Sequence, residues 1–282
     1  MENAFWRADM NHKPNVLILT GYGLNCDMET AHAFERVGAQ SHRVHINALI
    51  DGSVSIDSFH IMVFGGGFSW GDDHGAGVIQ AVRMKTHLGE NLLAFIDQGN
   101  LIIGICNGFQ TLVNMGLLPG FDSNYQKRSV ALIHNDCGNF RDQWVSLTIN
   151  PASPCIWTQG LNQLDLPVRH GEGKFYAETD VIDRLGQDNQ IVFQYSKPDG
   201  HPAEGQFPHN PNGSLRDIAG ICDPTGRILG LMPHPEAYHH YTHHPDWTRR
   251  LAMQLRQKSP VDTEPVLGIR LFENAIRYLA GN

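Results

Sequence analysis

No stretch of this 282-residue sequence approaches the ~18 consecutive apolar residues that a membrane-crossing helix needs. Lys and Arg form no long run, and the net charge is −8. Such a chain is a poor fit to nucleic acid or to an anionic membrane surface. The leading segment, Met1 to Lys13, is polar and lacks the apolar centre of a secretory signal. Cysteine is scarce: Cys26, Cys106, Cys137, Cys155 and Cys222 are odd in number, scattered, and form no CxxC pair. They make no disulfide framework and predict a reducing, cytoplasmic setting. No P-loop is present, so the chain lacks that means of cradling nucleotide phosphates.

What is present is an ordinary globular composition, 41% hydrophobic, with apolar segments along the whole length and enough of them for a full core. Asn15–Thr20, Ser41–Ile46, Ile61–Phe64 and Leu101–Ile105 read as strands. Helical spacing over Met28–Val37, Gly75–Gln98 and Asn107–Met115 separates or follows them. This alternation predicts an α/β fold, a three-layer sandwich with a mostly parallel central sheet flanked by helices. In the second half, Trp144–Ile149, Leu166–His170, Ile191–Tyr195, Ile218–Cys222 and Ile228–Met232 read as strands between Gly, Pro and Asn turns. These predict some antiparallel strands on the same sheet, in an order the sequence does not give. A last helix is expected over Val266–Ala280. The whole chain, 1–282, reads as a single domain: a polar leader (1–14), a His- and Pro-rich insertion (237–264) and a C-terminal helix (265–282).

The informative junction is Gly104-Ile105-Cys106-Asn107-Gly108. An apolar strand runs into a cysteine flanked by two glycines, and a helix begins at once. This is the spacing of a nucleophile elbow with cysteine in place of serine. The glycines suit a strained turn with no room for side chains beside the nucleophile. Free N–H groups at the helix start favour a thiolate and, Asn107 included, can hold an oxyanion. Taken alone, the same pattern fits a buried filler thiol. A cysteine nucleophile needs a base from elsewhere in the chain. Met232-Pro233-His234-Pro235-Glu236 supplies a candidate at the end of another apolar strand. In extended chain, positions i and i+2 share a side, so Glu236 can accept a hydrogen bond from the His234 ring. That would fix the tautomer and stabilise the imidazolium.

These two segments together resemble the class I (triad) glutamine amidotransferases, and most of all the glutaminase subunits of phosphoribosylformylglycinamidine synthase. Further matching segments are Gly23–Asp27, Gly66–Asp72, Leu117–Gly120, His170–Phe175, Asn212–Ser214 and Asp217–Gly220. The likeness runs from about Asn15 to Glu236 and resumes in the last helix. It implies a flavodoxin-like fold with Cys106, His234 and Glu236 as the triad acting on L-glutamine. It also implies that the Gly66–Gly67 turn supplies an oxyanion N–H opposite that of Asn107, and that Gln110 contacts the substrate. His170 and Glu172 would lie at the mouth of the site. A synthetase subunit would receive the ammonia, with a small bridging subunit beside it. ATP and Mg belong to that synthetase, and no cofactor is expected in this chain. Glutaminase activity should then be low alone and rise on assembly.

Two features stand outside this reading. Cys26 follows a glycine turn without elbow spacing and reads as structural or near the pocket. His239-His240 and His243-His244 have the i, i+4 spacing that can chelate zinc on a helix. No neighbouring cysteine or well-placed carboxylate completes a site and Pro245 would end the helix, so the stretch reads as a solvated loop and no metal is assigned. Two alternatives stay open: a stand-alone cysteine hydrolase of the same fold, and a non-catalytic regulatory subunit. The complete His234–Glu236 pair speaks against the first, and the retention of both Cys106 and His234 against the second.

Overall fold

The computed structural model describes residues 13–257 and 267–281. Most of the leader, and residues 258–264 of the His- and Pro-rich stretch, therefore lie outside the described residues. A nine-stranded sheet runs through the molecule in the order β2-β1-β3-β4-β11-β10-β9-β6-β7. Its parallel block is β1 (Asn15–Thr20), β2 (Gln40–His45), β3 (Ile61–Phe64), β4 (Leu101–Ile105) and β11 (Ile228–Leu231). The antiparallel additions are β6 (Arg141–Ile149), β7 (Gln163–His170), β9 (Ile191–Ser196) and β10 (Ile218–Cys222). β3, β4 and β11 are buried at every residue. That is why they read as unbroken apolar runs rather than alternating ones.

Chain direction decides which face each helix covers. From β1, α1 (Asp27–Arg36) leads to β2 on one side; from β3, α3 (Val78–Asp97) leads to β4 on the other. Right-handed crossovers running in opposite directions lie on opposite faces of the sheet. α1 packs with the last helix, α7 (Ile269–Leu279), where the rings of Phe34 and Phe272 meet edge to face at 4.7 Å. α3 packs with α4 (Asn107–Met115), whose end is capped by Gly116 at φ 81°. The result is the expected three layers, with the switch in strand order between β1 and β3. Ligand crevices in open α/β sheets form at such a switch, outside the carboxyl ends of the strands.

Some elements were not legible in the sequence. β5 (Val130–Ile133) and β8 (Lys174–Ala177) form a separate two-stranded sheet, and α5 (Thr179–Gln187) follows it directly. α2 (Ile46–Ile50) is a single short turn capped by the His45 ring. α6 (Trp247–Arg256), by contrast, was legible: the basic residues Arg249, Arg250 and Arg256 after the His- and Pro-rich part read as helical, and the helix forms there. That stretch is only partly the solvated loop expected of it. His240 and His243 are exposed, but His244 is buried against the Trp144 ring at 4.7 Å and lies 3.5 Å from Asp165. The histidines sit in and around a single 3-10 turn, not on an α-helix. Apolar ring faces and the half-buried Asp165 carboxylate are enough to pull His244 inward.

Candidate active site

Register across the parallel block brings the candidate residues together. Ile105 lies opposite Leu231 and Gly104 opposite Phe64, so β3, β4 and β11 end at the same level. The next residue on β4 is Cys106, whose N–H donates to the Leu231 carbonyl at 2.9 Å. Three residues beyond Leu231 comes His234, its N–H donating to Pro167 O at 2.9 Å. Cys106 adopts φ 53° and ψ −108°, the strained turn expected of an elbow and costly by ~1–3 kcal/mol. Its flanking glycines are sterically required. A Cβ at Gly108 would overlap the Phe64 carbonyl, and one at Gly104 would lie 2.8 Å from the Gly108 backbone.

His234 and Glu236 are both buried, and Nδ1 of the ring is 2.6 Å from Glu236 Oε1. Nδ1 therefore faces the carboxylate, while Nε2 forms no hydrogen bond among the described residues. Burial alone would pull the imidazole down, but the Glu236 carboxylate and the nearby Cys106 thiol outweigh it. The His234 pKa is held well above its ordinary value. Sγ of Cys106 lies 3.5 Å from the Arg169 carbonyl at the end of β7. The edge of the antiparallel half thus closes over Cys106.

A family model for the CobB/CobQ-like glutamine amidotransferase domain matches residues 13–279. The phosphoribosylformylglycinamidine synthase subunit PurQ of Methanococcus maripaludis is 42% identical over 265 residues, covering 94% of this chain and 97% of that protein. The chain belongs to the PurQ family. PurQ of Dehalococcoides mccartyi is 43% identical over 266 residues, covering 94% and 98%. A solved structure of PurLQS from Thermotoga maritima aligns with a TM-score of 0.65 at 27% identity, over 95% of this chain and 99% of that one.

Around this PurQ-family elbow, the other expected residues are tied into one network. Asn107 is fully buried; its Nδ2 donates to Asp72 Oδ1 at 3.0 Å and to Gln110 Oε1 at 3.1 Å. Gln110 Nε2 donates to the Glu172 carbonyl at 2.5 Å, and the Glu172 carboxylate accepts from Ala76 N–H at 3.2 Å. Gln110 is thus fixed by the loop that follows β7. Burial and the Glu172 carboxylate push the Asp72 carboxyl up to about 6, against the lowering effect of the Asn107 hydrogen bond. His170 is buried between Asn135 Oδ1 (3.2 Å) and Asn212 Nδ2 (3.5 Å), and burial with the charge of His234 pulls it down to about 3. It is a neutral scaffold group. The Gly66–Gly67 turn lies over His234: a Cβ at Gly66 would fall 2.8 Å from the ring and 3.1 Å from Cys26 Sγ.

Sequence reasoning did not single out Asp72 or Arg169, although Asp72 closes one of the matching segments. Cys26, read as structural or near the pocket, does lie beside it, with Sγ 3.9 Å from His234 Nδ1. The signal for Cys26 is its place after the turn at the carboxyl end of β1, on the same edge of the sheet as Cys106 and His234.

Proposed function

We infer that this chain is the glutaminase subunit of phosphoribosylformylglycinamidine synthase and supplies ammonia for purine biosynthesis. The observation that carries the chemistry is the pairing of β4 with β11, which sets a strained Cys106 beside a buried His234–Glu236 pair. Cys106 attacks the side-chain carboxamide of L-glutamine, and the oxyanion is held by backbone N–H groups of Asn107 and the Gly66–Gly67 turn. Nε2 of His234 protonates the departing ammonia and then activates water, which hydrolyses the γ-glutamyl thioester to glutamate. Glu236 keeps the ring oriented and stabilises its charged form. Gln110 and Asn107 shape the glutamine pocket between the elbow helix and the loop after β7.

Ammonia released into water is protonated and lost, so the product calls for a connected acceptor. The PurLQS likeness and the lack of a P-loop support a partnership with a synthetase subunit and a small bridging subunit. ATP and Mg act on that synthetase, and the chain itself serves as one glutaminase domain without a cofactor, in the cytoplasm. Labelling with a glutamine-analogue affinity reagent, followed by mass mapping, tests the nucleophile. Modification of Cys106, abolished by Cys106→Ser, is expected; labelling at Cys26 or nowhere would sink the assignment. Adding the synthetase and small subunits should raise glutaminase turnover, and a full rate from the isolated chain would contradict the partnership.

A further inference from the structure

Cys26 is a buried thiol that the glutaminase chemistry leaves unused. It sits at the start of α1, with Sγ 3.9 Å from Nδ1 of His234, which in turn lies 2.6 Å from Glu236 Oε1. One donor atom from each of the three residues falls within 4.8 Å of the other two. A second observation points the same way. Glu236 is fully buried, yet its other oxygen, Oε2, has no hydrogen-bond partner among the described residues. An orphaned carboxylate oxygen beside a thiol and an imidazole is costly unless something positive meets it.

We propose that Cys26, His234 and Glu236 form a binding site for a thiophilic divalent cation of the zinc type, and that occupancy switches the glutaminase off. Thiolate, imidazole and carboxylate are the donors zinc selects, at about 2.3, 2.0 and 2.0–2.2 Å. The contact between Nδ1 and Oε1 has to open by under about 1 Å to admit an ion at those distances. On binding, the Cys26 thiol and Nδ1 of His234 each give up a proton to solvent, Nε2 keeping its own, and a water completes the tetrahedron. An approach exists: a cleft of about 510 Å³ is walled by Glu29, Asp142, Arg169, Glu236, His239 and His243. Glu29, Asp142 and the two imidazoles line the way with possible cation donors, beside the guanidiniums of Arg169 and, at 3.2 Å from His239 Nδ1, Arg36. Once bound, the ion takes Nδ1 and the Glu236 carboxylate, whose free Oε2 turns toward it, so the Nδ1–Oε1 contact that holds the His234 ring is lost and Cys106 loses its oriented acid and base. The inhibition rests on the proposed role of His234 and Glu236; the binding does not.

The test uses the full chain with Cys106→Ser, titrated with zinc and separately with cadmium, whose thiolate gives an ultraviolet charge-transfer band. One ion per chain with that band is expected, and adding Cys26→Ser should weaken binding at least about tenfold. Should Cys26→Ser fail to fold, alkylation of Cys26 in the Cys106→Ser chain still decides the matter. Zinc should slow it at least about tenfold, read by mass mapping with the exposed Cys137 as internal reference. In the wild-type complex zinc should inhibit glutaminase, each rate being taken relative to the same protein without metal. Affinity unaltered by Cys26→Ser, an unprotected Cys26, or binding that disappears with Cys106→Ser would overturn the site. If Cys26 binds zinc while the metal-free wild type shows no Cys106-dependent glutaminase, the site stands and the glutaminase assignment falls.

Discussion

Glu236 holds Nδ1 of His234 at 2.6 Å with both side chains buried. A two-residue separation within one chain segment thereby sets the direction of the imidazole, and Nε2 is turned away from the carboxylate. A group so placed is expected to matter for turnover more than for substrate binding.

Glu236→Gln tests this directly. The amide cannot stabilise an imidazolium and permits the wrong tautomer, so kcat for glutamine hydrolysis should fall by about 10³–10⁴. KM should change little. Steady-state kinetics on the assembled complex give both numbers, and retention of most of kcat would remove Glu236 from the triad.

The elbow makes a stability prediction. Gly108→Ala drives a methyl group into the Phe64 carbonyl and should cost at least about 3 kcal/mol, as severe overpacking does. Gly171→Ala serves as the control, because its added Cβ meets nothing closer than the Phe140 ring at 3.9 Å. Denaturant unfolding of the two variants should separate them clearly.

His170 predicts a pH dependence. Its folded pKa of about 3 lies below the ordinary value of about 6.5, so the unfolded chain takes up the proton first. Its contribution is complete above about pH 6.5 and is lost as pH falls toward 3. Between pH 7 and pH 4 the wild type should lose about 3 kcal/mol more stability than His170→Gln. Equal pH slopes for the two proteins would show that His170 is not buried in the neutral form.

Asp165 anchors the His-rich stretch by accepting from Arg250 at 2.7 Å and lying 3.5 Å from His244. Burial works against its charge, but hydrogen bonds from His244, Arg250 and Ser146 hold its pKa well below the usual carboxylate range. The contribution is present above about pH 4 and lost as pH falls below it. At pH 7, Asp165→Ala should cost about 1–2 kcal/mol, discounted for the half-exposed Arg250. It should also speed proteolytic cleavage within 237–257. No change in cleavage rate would mean that ring packing alone holds the segment.

The candidate site residues were legible in the sequence because they are encoded locally. Gly104-Ile105-Cys106-Asn107-Gly108 specifies a turn too tight for side chains, and His234-Pro235-Glu236 carries its own orienter two residues away. The parallel block was legible for a similar reason, since strands buried on both faces must be apolar throughout. The short β5–β8 pair was not, because Lys174–Ala177 alternates buried and exposed residues over only four positions. Only the tertiary structure decided that β11 enters the sheet beside β4, which turns two distant segments into neighbours at one edge. It alone placed Asp72 and Glu172 around Asn107 and Gln110, and it alone brought Cys26 against His234 across 208 residues of chain. Strand order and register are properties of the whole sheet, settled by which buried surfaces fit together, and no single segment carries them.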